Sequence, residues 1–120
     1  RKELPTKKMI ERILQDYLTE NAFPCYLSMP EHPSGSFCIL QKTGSDYSDG
    51  LFSATVAVQS YGKTTFSAAQ MDHQIVQVML DADALPQISA CDLVTDYDFP
   101  DVTRKLPRYQ AIFNVTYYDD

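Results

Sequence analysis

The sequence predicts an α+β domain: a mainly antiparallel sheet of about five strands with two helices packed on one face. Three observations carry this prediction. Helical three-to-four spacing of apolar residues occurs in two segments, 6–19 and 65–80. Period-two alternation or short apolar runs occur in five, 25–29, 36–42, 51–60, 88–99 and 108–118. The order is therefore helix, strand, strand, strand, helix, strand, strand, with consecutive strands free to pair as hairpins. At 120 residues the chain has the size of one domain, 1–120, able to bury a core without staples, and residues 1–5 are expected to be flexible.

The first helix follows from Met9, Ile10, Ile13, Leu14, Tyr17 and Leu18, which form one apolar stripe. Thr6, after Pro5, is placed to cap its start, and Asn21 and Pro24 mark its end. "CYLSM" (25–29) is extended until Pro30, and "SFCILQK" (36–42) is apolar enough for a central strand. "TGSDYSDG" (43–50) is rich in turn formers and predicts a loop, joining that strand to "LFSATVAVQS" as a hairpin. In the latter, Phe52, Ala54, Val56 and Val58 share a face. The second helix places Phe66, Ala69, His73, Val76, Met79 and Leu80 at helical spacing. Thr64 or Thr65 can cap it, and Ser67 with Gln70 fits a capping box one turn later. "PDVTRKLP" (100–107) is a loop between prolines, and the last strand puts Tyr109, Ala111, Phe113, Val115 and Tyr117 on one face.

Apolar residues make up 44% and charged residues 22%, a globular balance that argues against disorder. The net charge is −6. Residues 1–12 run against it: Arg1, Lys2, Lys7, Lys8 and Arg12 face Glu3 and Glu11, a local +3, so the remainder carries −9. So acidic a surface repels DNA and anionic lipid, which excludes sequence-specific nucleic-acid binding and membrane-surface roles. Cys25, Cys38 and Cys91 form no C-x-x-C pair and predict buried, reduced thiols in a cytosolic protein. No apolar stretch reaches spanning length and no signal peptide is visible; a start at Arg1 rather than Met suggests a trimmed chain.

"SYGKTTFSAAQ" (60–70) ends like a phosphate-binding loop, Gly62-Lys63-Thr64, ahead of a helix. Such a loop needs a first glycine five residues before the second, so that backbone N–H groups curl around phosphate. That position is Ala57, inside a strand pattern, so Gly62 is expected to be a turn residue and Lys63 exposed. A small nucleotide-binding domain remains the alternative of another class. Asp96, Asp98 and Asp101, like Asp46 and Asp49, lack the alternate-oxygen pattern of a calcium loop and predict solvated acidic loops. His32 and His73 have no partner at zinc spacing, and His73 is expected at a boundary of the core. No cysteine sits beside a helix start or basic cluster that would activate it. The residues predict no catalytic, metal or cofactor-binding site and no enzyme activity.

Eight tyrosines without tryptophan suit protein contacts instead. Tyr47 in the loop 43–50, Tyr61 at the strand-to-helix turn and Tyr118 on the polar side of the last strand are expected to be exposed. Arg104, Lys105 and Arg108 form the basic cluster outside the first helix, where a like neighbour could dock carboxylates head to tail. With Asp46 and Asp49, these residues and the loops 43–50 and 100–107 are the expected contact surface.

The stretches "FSATVAVQSYGKTTFSAAQMDHQIVQVML" (52–80) and "RKLPRYQAIFNVTYYD" (104–119) resemble the tail terminator, or tail completion, proteins of long-tailed bacteriophages. The first helix and "PCYLSMPEHPSGSFCILQK" (24–42) fit the same order, so the resemblance covers most of the chain. It implies a sheet backed by helices and a homohexameric ring in the virion tail, assembled in the host bacterial cytoplasm. It implies a ring that caps the tail tube and meets the head connector, without catalysis. A head–tail connector or minor capsid protein is the alternative within that class.

Overall fold

The structure is a computed structural model and describes residues 9–118. The chain is α+β. In order run α1 (Ile10–Glu20), β1 (Cys25–Tyr26), β2 (Phe37–Ser48), β3 (Leu51–Tyr61), α2 (Thr65–Leu80), a 3-10 turn (Ala82–Ala84), β4 (Ile88–Asp98) and β5 (Arg108–Tyr118). The five strands lie in the order β1-β2-β3-β5-β4, antiparallel except for the short parallel pair of β1 with β2. Both helices pack on one face. Ile10, Leu14 and Leu18 of α1 and Met71, Ile75 and Met79 of α2 meet Cys38, Leu40, Val56, Val58, Phe113 and Val115 there. The alternation predicted for β3 and β5 is observed: Ala54 pairs with Val115, Val56 with Phe113 and Val58 with Ala111, all in that core.

Three boundaries differ from expectation. The first helix begins at Ile10, with Met9 at the N-cap and no side-chain cap bond. Thr6, Lys8 and the flexibility predicted for 1–5 lie outside the described residues. At its end, Ala22 adopts φ 71°, and the bonds Phe23 N–H to Leu18 C=O (3.0 Å) and Ala22 N–H to Thr19 C=O (3.0 Å) close a Schellman turn. β1 is two residues rather than five, because only Cys25 and Tyr26 pair with β2. The segment 43–50 is not a loop. β2 continues to Ser48 and turns at Asp49-Gly50, both at positive φ (54° and 82°), so Ser48 pairs directly with Leu51. Asp-Gly is the residue pair a two-residue hairpin turn of this hand requires. A bulge between Lys42 and Gly44 re-aims the ribbon, whose outer residues 43–50 are all exposed. The molecule is accordingly long, 50 × 30 × 24 Å.

α2 has both ends where the pattern puts them. Of the caps expected, Thr64 is the N-cap, and it closes a capping box with Ser67 in place of the Ser67–Gln70 box one turn later. The buried stripe, however, is Ala68, Met71, Asp72, Ile75 and Met79, while Phe66, His73 and Leu80 are exposed. The helix is apolar around most of its girth, so two stripes compete in the sequence, and the one that wins includes an aspartate. Burial and then the neighbouring Asp96 carboxyl push Asp72 up from 3.8 to about 8, and its Oδ1 has no hydrogen-bond partner. A carboxyl raised on folding binds more protons folded than unfolded. Its stabilising contribution is complete below the unfolded pKa and is lost as pH rises through the folded one. Stability should therefore fall between about pH 4 and 8 on its account. Asp72→Asn should flatten that slope and gain about 1–3 kcal/mol at pH 8 in urea unfolding.

The opposite face carries a smaller cluster: Phe37, Ile39 and Tyr61, with Met29 and Leu106 against it. Phe37 and Tyr61 are register partners with rings stacked at 4.9 Å. All three cysteines are free and buried, as expected. A hydrogen bond with Cys25 and then burial push Cys38 up, and burial, with Asp92 and Asp83, pushes Cys91 up to about 12.

Candidate functional site: the two ends of the sheet

The expected contact residues gather at opposite ends of the long strands. Asp46, Tyr47 and Asp49 sit at the β2–β3 turn, where Tyr118 of β5 joins them by pairing with Leu51. Tyr61, Arg104, Lys105 and Arg108 sit at the other end, where β3 enters α2 and β4 returns to β5.

At the hairpin end, Tyr47 (54% exposed) leans on Phe52 at 4.7 Å between centroids, and Phe52 stacks on Tyr117 at 5.5 Å. This aromatic row stiffens the ribbon beyond the helices. Asp46 Oδ1 accepts the Tyr47 N–H at 2.8 Å and, like Asp49, remains exposed.

The far end is built around Asp101, which is 4% exposed and not the solvated loop residue its sequence context predicts. Its Oδ2 accepts the Tyr61 hydroxyl (2.9 Å) and Arg104 Nη1 (3.3 Å), its Oδ1 accepts the Arg104 N–H (3.1 Å), and Arg108 Nη1 lies 3.8 Å away. Burial by itself would raise this carboxyl. The Arg104 N–H, the Tyr61 hydroxyl and the two guanidinium groups hold it below the ordinary value. The same burial and hydrogen bond to Asp101 push the Tyr61 hydroxyl up. Arg108 donates Nε–H to Phe99 C=O (2.6 Å) and Nη1–H to the Tyr61 hydroxyl (3.1 Å), and it stacks 4.3 Å over the Phe99 ring. Asp101 and Leu106 exchange backbone bonds of 3.0 and 3.1 Å, and Lys105 takes φ 56° to close the turn between them. The predicted loop is thus a rigid corner.

This geometry corrects two expected contact residues. Tyr61 is 2% exposed and Arg108 is largely buried, so both are struts of the corner rather than surface. Arg104 and Lys105 are exposed, as is Lys63. Around them stand apolar groups that the sequence pattern did not single out as surface: Phe66 (76% exposed), Val102 (79%) and Phe99. Phe66 looked like core because it keeps helical spacing with Ala69 and His73. Val102 carried one signal, an aliphatic residue isolated in a polar loop. Two clefts open here on either side of Leu106. One, about 300 Å³, lies between Pro33, Phe37, Tyr61 and Lys63; the other, about 360 Å³, lies beside Thr65, Val102 and Lys105.

Gly62-Lys63-Thr64 has a structural explanation. Residues 57–61 are fully paired β3, so no backbone cradle precedes the helix. Gly62 is needed for close approach, since a Cβ there would lie 2.4 Å from Ser67 Oγ and 2.6 Å from Ala68 N. Thr64 Oγ1 and C=O take the N–H groups of Ser67 and Ala68 (both 3.0 Å), which a phosphate would otherwise claim. Asp96 and Asp98 lie in β4, His32 is exposed beside Glu31, and no group of three or more metal-ligating side chains occurs among the described residues. No protein-family model and no curated protein matches the chain.

Proposed function

We propose that the chain is a structural protein of a long-tailed bacteriophage or prophage: a tail terminator that closes into a hexameric ring, caps the tail tube and meets the head connector. The observation that carries the reading is the polarity of the molecule. A molecule 50 Å in its longest dimension ends in an acidic, tyrosine-bearing tip on one side and a cation-rimmed apolar corner on the other. Unlike surfaces at opposite ends of one subunit give head-to-tail contacts, and such contacts make rings when the rotation closes. The net charge of −6 suits a channel through which DNA slides without adhering. A head–tail connector or minor capsid protein would use the same contact between copies and differ in the proteins above and below.

Arg104 and Lys105 test the reading, without Arg108, whose replacement would collapse the corner. The double variant Arg104→Glu, Lys105→Glu should sediment as a folded monomer under conditions where the parent forms rings, with a lower unfolding midpoint because Arg104 also donates to the Asp101 carboxylate. The nucleotide alternative predicts heat on titration with ATP or GTP that Lys63→Ala removes. The ring reading predicts none.

A further inference from the structure

The reading as a ring leaves open which surfaces meet. Building on that reading, we propose that the β2–β3 tip of one copy seats Tyr47 in the cleft between Pro33, Phe37, Tyr61 and Leu106 of the next copy, with Asp46 and Asp49 against Lys63 and Lys105.

Three features support this pairing. The tip and the cleft lie at opposite ends of β3, so one copy cannot satisfy its own cleft, and a neighbour placed end to end can. The charges are complementary. The turn residues 45–50 include Asp46 and Asp49 and no cation. Lys63 at this cleft and Lys105 at the neighbouring one, across the shared Leu106, are exposed and make no ion pair among the described residues. On a chain of net charge −6, two unpaired lysines at one end form a local positive rim that a carboxylate would fill. The cleft chemistry also fits. Its walls are aromatic and aliphatic, Gly35 leaves open space at its edge, and about 300 Å³ accommodates one phenol ring with its backbone. Tyrosine is the residue such contacts favour: large contact area, two rotatable angles and a polar end that can stay wet. The turn itself is rigid, because Asp49 and Gly50 are fixed at positive φ and Phe52 supports the Tyr47 ring. Little ordering entropy is then lost on docking.

The test uses the full chain with p-benzoylphenylalanine in place of Tyr47, mixed with an isotopically heavy copy and irradiated at ring-forming concentration. The expected result is light–heavy cross-links mapped to residues 33–37, 61–63 or 106. In parallel, Asp46→Lys and Lys63→Glu should each weaken self-association by about tenfold, and mixing the two should recover much of it. Rings whose cross-links map elsewhere would overturn this contact and leave the ring reading standing. Cross-links to an added tail-tube protein in preference to a second copy would also overturn it. A chain that stays monomeric both alone and with tail tubes would overturn both.

Discussion

Replacing Asp101 with alanine should destabilise the protein by about 3–5 kcal/mol in urea unfolding at pH 7, a larger effect than any surface charge change here should have. The substitution removes the acceptor for the Tyr61 hydroxyl, the Arg104 N–H and the Arg104 guanidinium, and the counter-charge of Arg108. Arg108 keeps Phe99 C=O and the Phe99 ring, so its charge is not wholly abandoned, and the lower part of that range is expected. Asp101→Asn keeps the shape and one acceptor and should lose only about 1–2 kcal/mol. The pH dependence separates the charge from the shape. The folded carboxyl is held below its unfolded value, so its contribution is present above the unfolded pKa and is lost as pH falls through the folded one. Parent and Asp101→Asn should therefore converge in stability on acidification and stay apart at neutral pH. Equal pH profiles would show that the carboxylate does not organise the corner.

Gly62→Ala should lose about 2–4 kcal/mol, with Lys63→Ala next to it within about 0.5 kcal/mol of the parent. The added methyl would sit 2.4 Å from Ser67 Oγ, 2.6 Å from Ala68 N and 3.0 Å from Ser67 C. A hydroxyl can rotate away, but the backbone of Ala68 cannot, so the first turn of α2 must retreat. That movement breaks the Thr64–Ser67 capping box and strains the Gly62 N–H to Pro107 C=O bond of 3.3 Å, which ties the helix entrance to the corner. The contrast with Lys63 discriminates between readings of the motif. A phosphate loop depends on its lysine for function, whereas a close-packed strand-to-helix junction depends on its glycine for stability.

The elements that the sequence revealed are those whose two faces differ. β3 and β5 alternate because one face meets the helices, and α2 shows its length because Thr64 and the "DADALP" stretch punctuate it. The second half of β2 was illegible for the converse reason. With both faces in water, Thr43 to Ser48 carry no apolar alternation, and turn-forming residues outvote the pairing that β3 imposes. The Asp49-Gly50 pair is the available signal, at the end of the segment 43–50 expected to be a loop. Asp101 was illegible at any local scale. Its partners Tyr61 and Arg108 lie 40 and 7 positions away, and only the register of β3 against β5 brings them together. The same register hides Tyr61, which in sequence resembles any tyrosine at a turn. The charge asymmetry was legible in part: Arg104 and Lys105 are surface groups, and Lys63, dismissed with its motif, joins them only in three dimensions.

Mass-resolved electron microscopy of the purified full chain across rising concentration, alone and with tail tubes, tests most directly that this molecule is a self-associating scaffold. Closed rings of one subunit number, lost in the Arg104→Glu, Lys105→Glu variant, are the predicted result. A monomer at every concentration and on every tube would contradict it.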